Sequence, residues 1–192
     1  MDMKRAREAA VATAIGEIKD RLAGGVTEAA LEEAKGLLMG LAAQTALFPR
    51  SDFPIPDAAQ IERTFLIHEE ADGGYALYVN SSRPGQSYGP HDHGGAWAIV
   101  AAVEGAERHR LYAVESGDLR QIGERNVAPG RAIALGPEAI HAIEAHAAAP
   151  LLHLHLYGVA FALQGERREY DPETGEVRAF VLENVGFIED AR

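Results

Sequence analysis

Residues 84–105 read PGQSYGPHDHGGAWAIVAAVEG, and the interval between the two histidines in this stretch governs how the rest of the chain is read. His91 and His93 are two positions apart. On a strand, where side chains alternate between faces, that interval turns both imidazoles to one side and Asp92 to the other. Two imidazoles so placed can offer two nitrogens to a single ion without strain. Downstream, Trp97 to Val103 is an apolar run with the texture of a buried strand, and Glu104-Gly105 ends it.

Outward from this stretch the same texture continues. YALYVN, RHRLYAV, RAIAL, AIHAIEA and LLHLHLYGV are short apolar runs broken by glycine, proline or acidic turns, with no helical pattern between them. Such a series predicts an antiparallel sandwich or barrel, the group to which the jelly roll belongs. A hairpin is expected near the end, with REY and VRAFV flanking Asp171 to Gly175. The N-terminal part differs. From about Lys4 to Gln44 it is rich in alanine, leucine and glutamate, with a break at Gly24-Gly25 and Thr27 placed to cap a second helix, so a helical hairpin is predicted. Phe48 to Pro56 then carries three prolines in nine residues and reads as an extended linker. The expected organisation is an N-terminal helical segment over residues 1–50 and a β-barrel domain with a C-terminal hairpin over 57–192.

Composition narrows the chemistry. At 192 residues with 47% hydrophobic content, the chain can bury one core, and two full domains would be cramped. The absence of cysteine excludes disulfides, thiolate zinc sites and cysteine nucleophiles. A net charge of −11, with no basic cluster interleaved with aromatics, argues against nucleic acid as a partner. No apolar run approaches the roughly 20 residues that cross a bilayer, so no membrane partner is expected and a soluble, cytoplasmic location is.

The segment around the histidines resembles the first cupin motif, in which a glycine, His-x-His, a glutamate and a closing glycine follow one another along a hairpin. Gly105 stands where the closing glycine is expected, and Ala98 stands in the glutamate's slot. Gly130, Gly136-Pro137 and His141 resemble the second motif, whose histidine completes the site from a neighbouring strand. The resemblance implies an all-β core of the cupin type, a double-stranded β-helix or jelly roll, with a metal ion held by His91, His93 and His141.

Ligand chemistry bounds what such a site can do. Imidazole suits iron, zinc, nickel and copper, whereas calcium and magnesium want oxygen. Three neutral imidazoles leave the full charge of a divalent ion in place and positions open beside it. Such an ion can take up substrate atoms together with dioxygen, or bind one water and acidify it.

Residues 151–158 read LLHLHLYG, so His153, His155 and Tyr157 share one face and Leu152, Leu154 and Leu156 the other. A polar stripe inside a barrel needs a reason. Together with His91-Asp92-His93 and the H-x-x-E of His141 and Glu144, it resembles the cysteine dioxygenase and thiol dioxygenase family of cupins, over residues 63–177. The closing E-Y-D-P-E-T-G resembles that family's final hairpin. The resemblance implies Fe(II) on the three histidines, a small thiol and O2 as substrates, and a sulfinate as product. It also implies a relay in which His155 orients Tyr157 towards the metal, with His153 where the family has serine. Gln86 matches a glutamine of the branch that acts on mercaptocarboxylates, and Arg63 the arginine that grips the substrate carboxylate. The cysteine that crosslinks to tyrosine in the animal enzymes falls at Ala98, so that crosslink cannot form.

Trp97 is read as core or as a wall of the substrate pocket. His68, His109 and His146, beside charged or small residues, are expected in solvent. Two functions stay open on the sequence: a thiol dioxygenase, or a module that binds zinc or another metal and senses a small ligand. The same three nitrogens admit zinc, nickel or manganese, and the oligomeric state is open, a homodimer through edge strands being one form.

Overall fold

A computed structural model describes residues 2–60, 62–179 and 188–192. Helices α1 (Met3–Leu22) and α2 (Glu28–Ala42) form the hairpin. Asp2 caps α1, and the Thr27 hydroxyl accepts from Ala30 N at 3.2 Å to cap α2. Val11, Ala14, Ile15, Ile18 and Leu22 make one buried stripe on α1, and Leu31, Ala34, Leu38 and Leu41 make another on α2.

Twelve strands among the described residues form two facing sheets. One sheet has the order β12 (Ile188–Asp190), β1 (Glu62–Glu69), β2 (Ala76–Ser82), β9 (Leu151–Tyr157), β4 (Ala98–Glu104), β7 (Ala132–Leu135). The other runs β11 (Val177–Ala179), β10 (Arg168–Tyr170), β3 (Ser87–His91), β8 (Ile140–Ala145), β5 (Glu107–Glu115), β6 (Asp118–Val127). Neighbours in sequence are often separated in space, and every described pairing is antiparallel except β1 with β12, so the body is the expected cupin-like jelly roll behind an N-terminal helical segment. The final hairpin forms as β10 and β11; Phe180 and Val181 of its second arm lie outside the described residues.

Alternation along the first sheet separates two interiors. Phe65, Ile67, Leu77, Val79, Ile99, Ala101, Leu152, Leu154 and Leu156 point outward and pack beneath the helices. Ala76, Tyr78, Ala98, Val100, Ala102 and Tyr157 point inward, toward the second sheet. Ala98 is therefore buried in the barrel interior, opposite Leu135 on one neighbouring strand and Tyr157 on the other. The proline-rich stretch after the helices is irregular, and it is tightly held. Phe53 is fully buried edge-on to Phe65, with ring centroids 5.3 Å apart, and the Arg7 guanidinium lies 4.8 Å from the Phe53 ring while donating to Leu47 O and Asp52.

Candidate metal centre

His91 is the last residue of β3, and His93 follows it in the turn. The His-x-His segment is thus a strand end running into a turn, and its geometry comes from Asp92 and two glycines. The Asp92 carboxylate faces away from the histidines and accepts from Gly94 N, Arg168 N and Tyr170 Oη at 2.9–3.0 Å. Gly94 has φ of 60°, and a Cβ there would come within 2.3 Å of Gly165 O, so only glycine fits. His141 comes from β8, directly opposite His91.

All three imidazoles are buried, and each offers a ring nitrogen within 4.8 Å of the other two. His91 Nδ1 donates to Gly89 O at 2.9 Å, which leaves its Nε2 with the lone pair. The Nε2 atoms of His93 and His141 lie 3.1 Å apart. Burial pushes His91 down to about 4, and burial followed by the neighbouring imidazoles holds His93 and His141 well below their ordinary range. The rings are therefore neutral, the state in which imidazole ligates a metal. Two neutral ring nitrogens facing each other at that separation, with a third beside them, make a donor set that a divalent transition ion fits.

Beside the triad lies a small cavity of about 50 Å³, bordered by His91, His155, Tyr157, Phe161 and Arg167. Tyr157 Oη is 3.5 Å from His155 Nδ1, a long contact. Burial pushes His155 down to about 3 and the Tyr157 phenol up, so the ring is neutral and the hydroxyl keeps its proton. The Arg167 guanidinium sits 5.5 Å from the Tyr157 ring centroid and 5.3 Å from that of Phe161. Deeper in the barrel, a void of about 20 Å³ is bordered by Gln86, Asn80, Glu107 and His153. His153 Nδ1 lies 2.9 Å from Glu107 Oε1 but off the line of a hydrogen bond.

Arg63, expected at the site, is elsewhere, and of the two readings of Trp97, core or pocket wall, the structure has the core. Glu62 and Thr64 occupy the inner face of β1, so Arg63 points outward, where its Nε and Nη2 each donate to the Glu189 carboxylate at 2.7 Å. Trp97 lies in the layer beneath the helices, edge-on to Tyr75 with centroids 5.5 Å apart. His109, expected in solvent, has no exposed surface; His68 is half-buried, and His146 is exposed.

Glu62, Glu107 and Arg167 were not singled out in the sequence, and His109 was expected in solvent. Glu107 and His109 stand two apart on β5 and share its inner face; the signal was the same alternation that marks His91 and His93, hidden between Arg108 and Arg110. Glu62 is buried among Asn80, Ser82, Thr64 and Tyr88, all donating to its carboxyl, and burial pushes that carboxyl up to about 7 despite them. Arg167 reaches the cavity from the irregular segment after the Phe161–Leu163 turn, which carries no periodic signal.

The sequence matches no protein-family profile and no curated protein. Among solved structures the chain is similar to the DMSP lyase DddQ from Ruegeria pomeroyi DSS-3, at 20% identity over 61% of this chain and 55% of that one, with a TM-score of 0.46. It is similar to TT1209 from Thermus thermophilus at 20% identity, over 54% of this chain and 88% of that one, with a TM-score of 0.44. It is also similar to the oxalate decarboxylase of Lactobacillus farciminis, at 17% identity over 50% of this chain and 26% of that one, with a TM-score of 0.41. The chain thus spans about half of the lyase and a quarter of the decarboxylase. Among the described residues no helix is long and apolar enough to cross a membrane.

Proposed function

We propose that the chain is a non-haem Fe(II) dioxygenase that oxidises a small thiol, of the cysteine or mercaptocarboxylate type, to its sulfinate. Both oxygen atoms of O2 go to sulfur, which is oxidised by four electrons as O2 is reduced. The observation that carries this reading is a donor set of three neutral imidazoles without a carboxylate, opening on a cavity sized for a few atoms beside Tyr157 and Arg167. Iron, when bound by His91, His93 and His141, would supply the means to bring thiolate and O2 together.

The chain's own residues would do the rest. Arg167 is the cation positioned to hold a substrate carboxylate, the role that Arg63 cannot take while paired with Glu189. Tyr157, still protonated in its buried site, would donate a hydrogen bond to substrate or oxygen at the cavity wall, with His155 orienting its hydroxyl. Phe161 and the Tyr157 ring would keep water from the reacting sulfur. The enzyme as a whole would be a soluble protein acting on small molecules.

A second reading, a zinc-binding or other metal-binding module without oxygenase activity, draws on His153. It stands where the relay of the resembling family has serine, and here it faces Glu107 instead of extending the line from Tyr157. Metal analysis of aerobically purified protein, then oxygen-electrode assays with cysteine, 3-mercaptopropionate and other thiols, separates the two. Oxygen uptake that requires both iron and one thiol is the expected result; tightly held zinc with no uptake selects the module. Tyr157→Phe should lower that uptake by about 10²-fold with metal content kept.

A further inference from the structure

We infer that Glu107 is a positioning residue for the metal centre, acting through His109 to fix which nitrogen of His141 carries hydrogen. The inference rests on the metal-binding reading of the triad and not on any particular reaction.

The contacts form a continuous line through the second sheet and into the barrel. Glu107 Oε1 is 2.7 Å from His109 Nε2, His109 Nδ1 is 2.9 Å from His141 Nδ1, and His141 Nε2 is 3.1 Å from His93 Nε2. His109 and His141 have no exposed surface to speak of, and Glu107 is buried as well, so water cannot substitute for a missing partner. The His109 and His141 rings stack nearly parallel, with an interplanar angle of 15°.

Counting hydrogens then leaves one arrangement for neutral rings. An ionised carboxylate only accepts, so His109 must place its hydrogen on Nε2. Its Nδ1 is left as an acceptor, and His141 must donate from its own Nδ1. The His141 Nε2 lone pair is thereby aimed at the point where His91 and His93 converge. Were the carboxylate absent or protonated, the line could run the other way, and His141 would present an N–H to that point, which no cation could use. Burial works against the Glu107 charge, but His153 and the hydrogen bond from His109 Nε2 outweigh it and hold the carboxyl well below its ordinary range. The negative charge would also reach the metal through two polarisable rings, raising the basicity of His141 as a ligand. His91 needs no such device, because Gly89 O fixes its tautomer. His93 Nδ1 has no hydrogen-bond partner among the described residues.

The test begins with the metal-free wild-type protein labelled with 15N at histidine. Long-range proton–nitrogen correlation spectra should show His141 as the Nδ1–H tautomer and His109 as the Nε2–H tautomer; His141 found as Nε2–H overturns the inference. Competition with a chromophoric chelator then gives Zn²⁺ and Co²⁺ affinities for wild type, Glu107→Gln and Glu107→Leu. Glu107→Leu should weaken both by about 10–100-fold. Glu107→Gln, which keeps an acceptor oxygen and loses the charge, should fall between, and it serves alone if the leucine variant does not fold. Affinities within twofold of wild type in the Glu107 variants, with His141→Ala still abolishing binding, overturn the role of Glu107. Unchanged affinity in His141→Ala overturns the metal reading itself.

Discussion

The molecule has two interiors that share the strands of one sheet, and they differ in kind. Between the helices and the first sheet the packing is apolar: Leu38 and Leu41 of α2 belong to one layer with Ile99, Leu154 and Leu156, all nearly without exposed surface. Between the two sheets, Tyr78, Val100 and Leu135 give way to Glu62, Asn80, Glu107, the histidine triad and the polar face of β9. That single strand, β9, contributes leucines to one layer and His153, His155 and Tyr157 to the other. The difference teaches that stability and chemistry are assigned to opposite faces of the same strands, so each can be perturbed with little effect on the other.

The strongest way to break that separation is to remove a ligand. His141→Ala should lower Zn²⁺ or Co²⁺ affinity by more than the ~10–100-fold that follows loss of an outer partner. Far-ultraviolet circular dichroism should remain that of the wild type; metal affinity that survives the change would mean that the polar interior is not a metal site. On the other face, Leu154→Ala should cost about 2–5 kcal/mol in chemical denaturation. Metal affinity of the folded fraction should stay the same, and a large loss of it would show that the two layers are coupled.

Acid sharpens the contrast, because the fully buried imidazoles among the described residues lie in the barrel interior. His155 takes a proton near ~6.5 when unfolded but only near about 3 when folded, because burial disfavours its charge. The unfolded state therefore binds more protons between those values, so the stability due to this group is full above ~6.5 and is lost as pH falls toward about 3. Urea denaturation of the metal-free protein from pH 4 to 7 should show stability rising with pH, and His155→Gln should flatten part of that slope. An unaltered slope would relocate the titration to other groups.

The smallest effect is expected outside both layers. Arg63 and Glu189 form a partly exposed bidentate pair at the edge of the first sheet. Arg63→Ala should change stability by less than ~1 kcal/mol and leave oxygen uptake as it was. A large loss of uptake would return Arg63 to the substrate site and displace Arg167 from it.

How much of this was legible in the sequence follows from whether a signal was local. The Thr27 cap, the short strands and the leucine–histidine alternation of β9 depend on neighbours a few positions away, and they can be read along the chain. Arg63 could not be placed, because one position of register decides which face it takes, and that register is fixed by Glu62 bonding to Asn80 and Ser82 on the adjacent strand. Trp97 sits at the same kind of boundary, one residue before β4, and turns to the helices. The two arginines flanking His109 point to solvent, and they do lie on the outer face, where Glu144 pairs with both. The partners of His109 itself, Glu107 and His141, are inside. Arg167 belongs to a segment with no repeat, and only the closure of the chain over the cavity brings it to Tyr157.

The account stands on three imidazoles meeting at one ion. X-ray absorption on the protein loaded with one equivalent of Fe²⁺ or Co²⁺ measures that directly. Three imidazole nitrogens at about 2.0–2.2 Å, lost one at a time in His91→Ala, His93→Ala and His141→Ala, are the predicted result. A shell with two imidazoles or fewer in the wild type, or one that His141→Ala leaves unaltered, would contradict it.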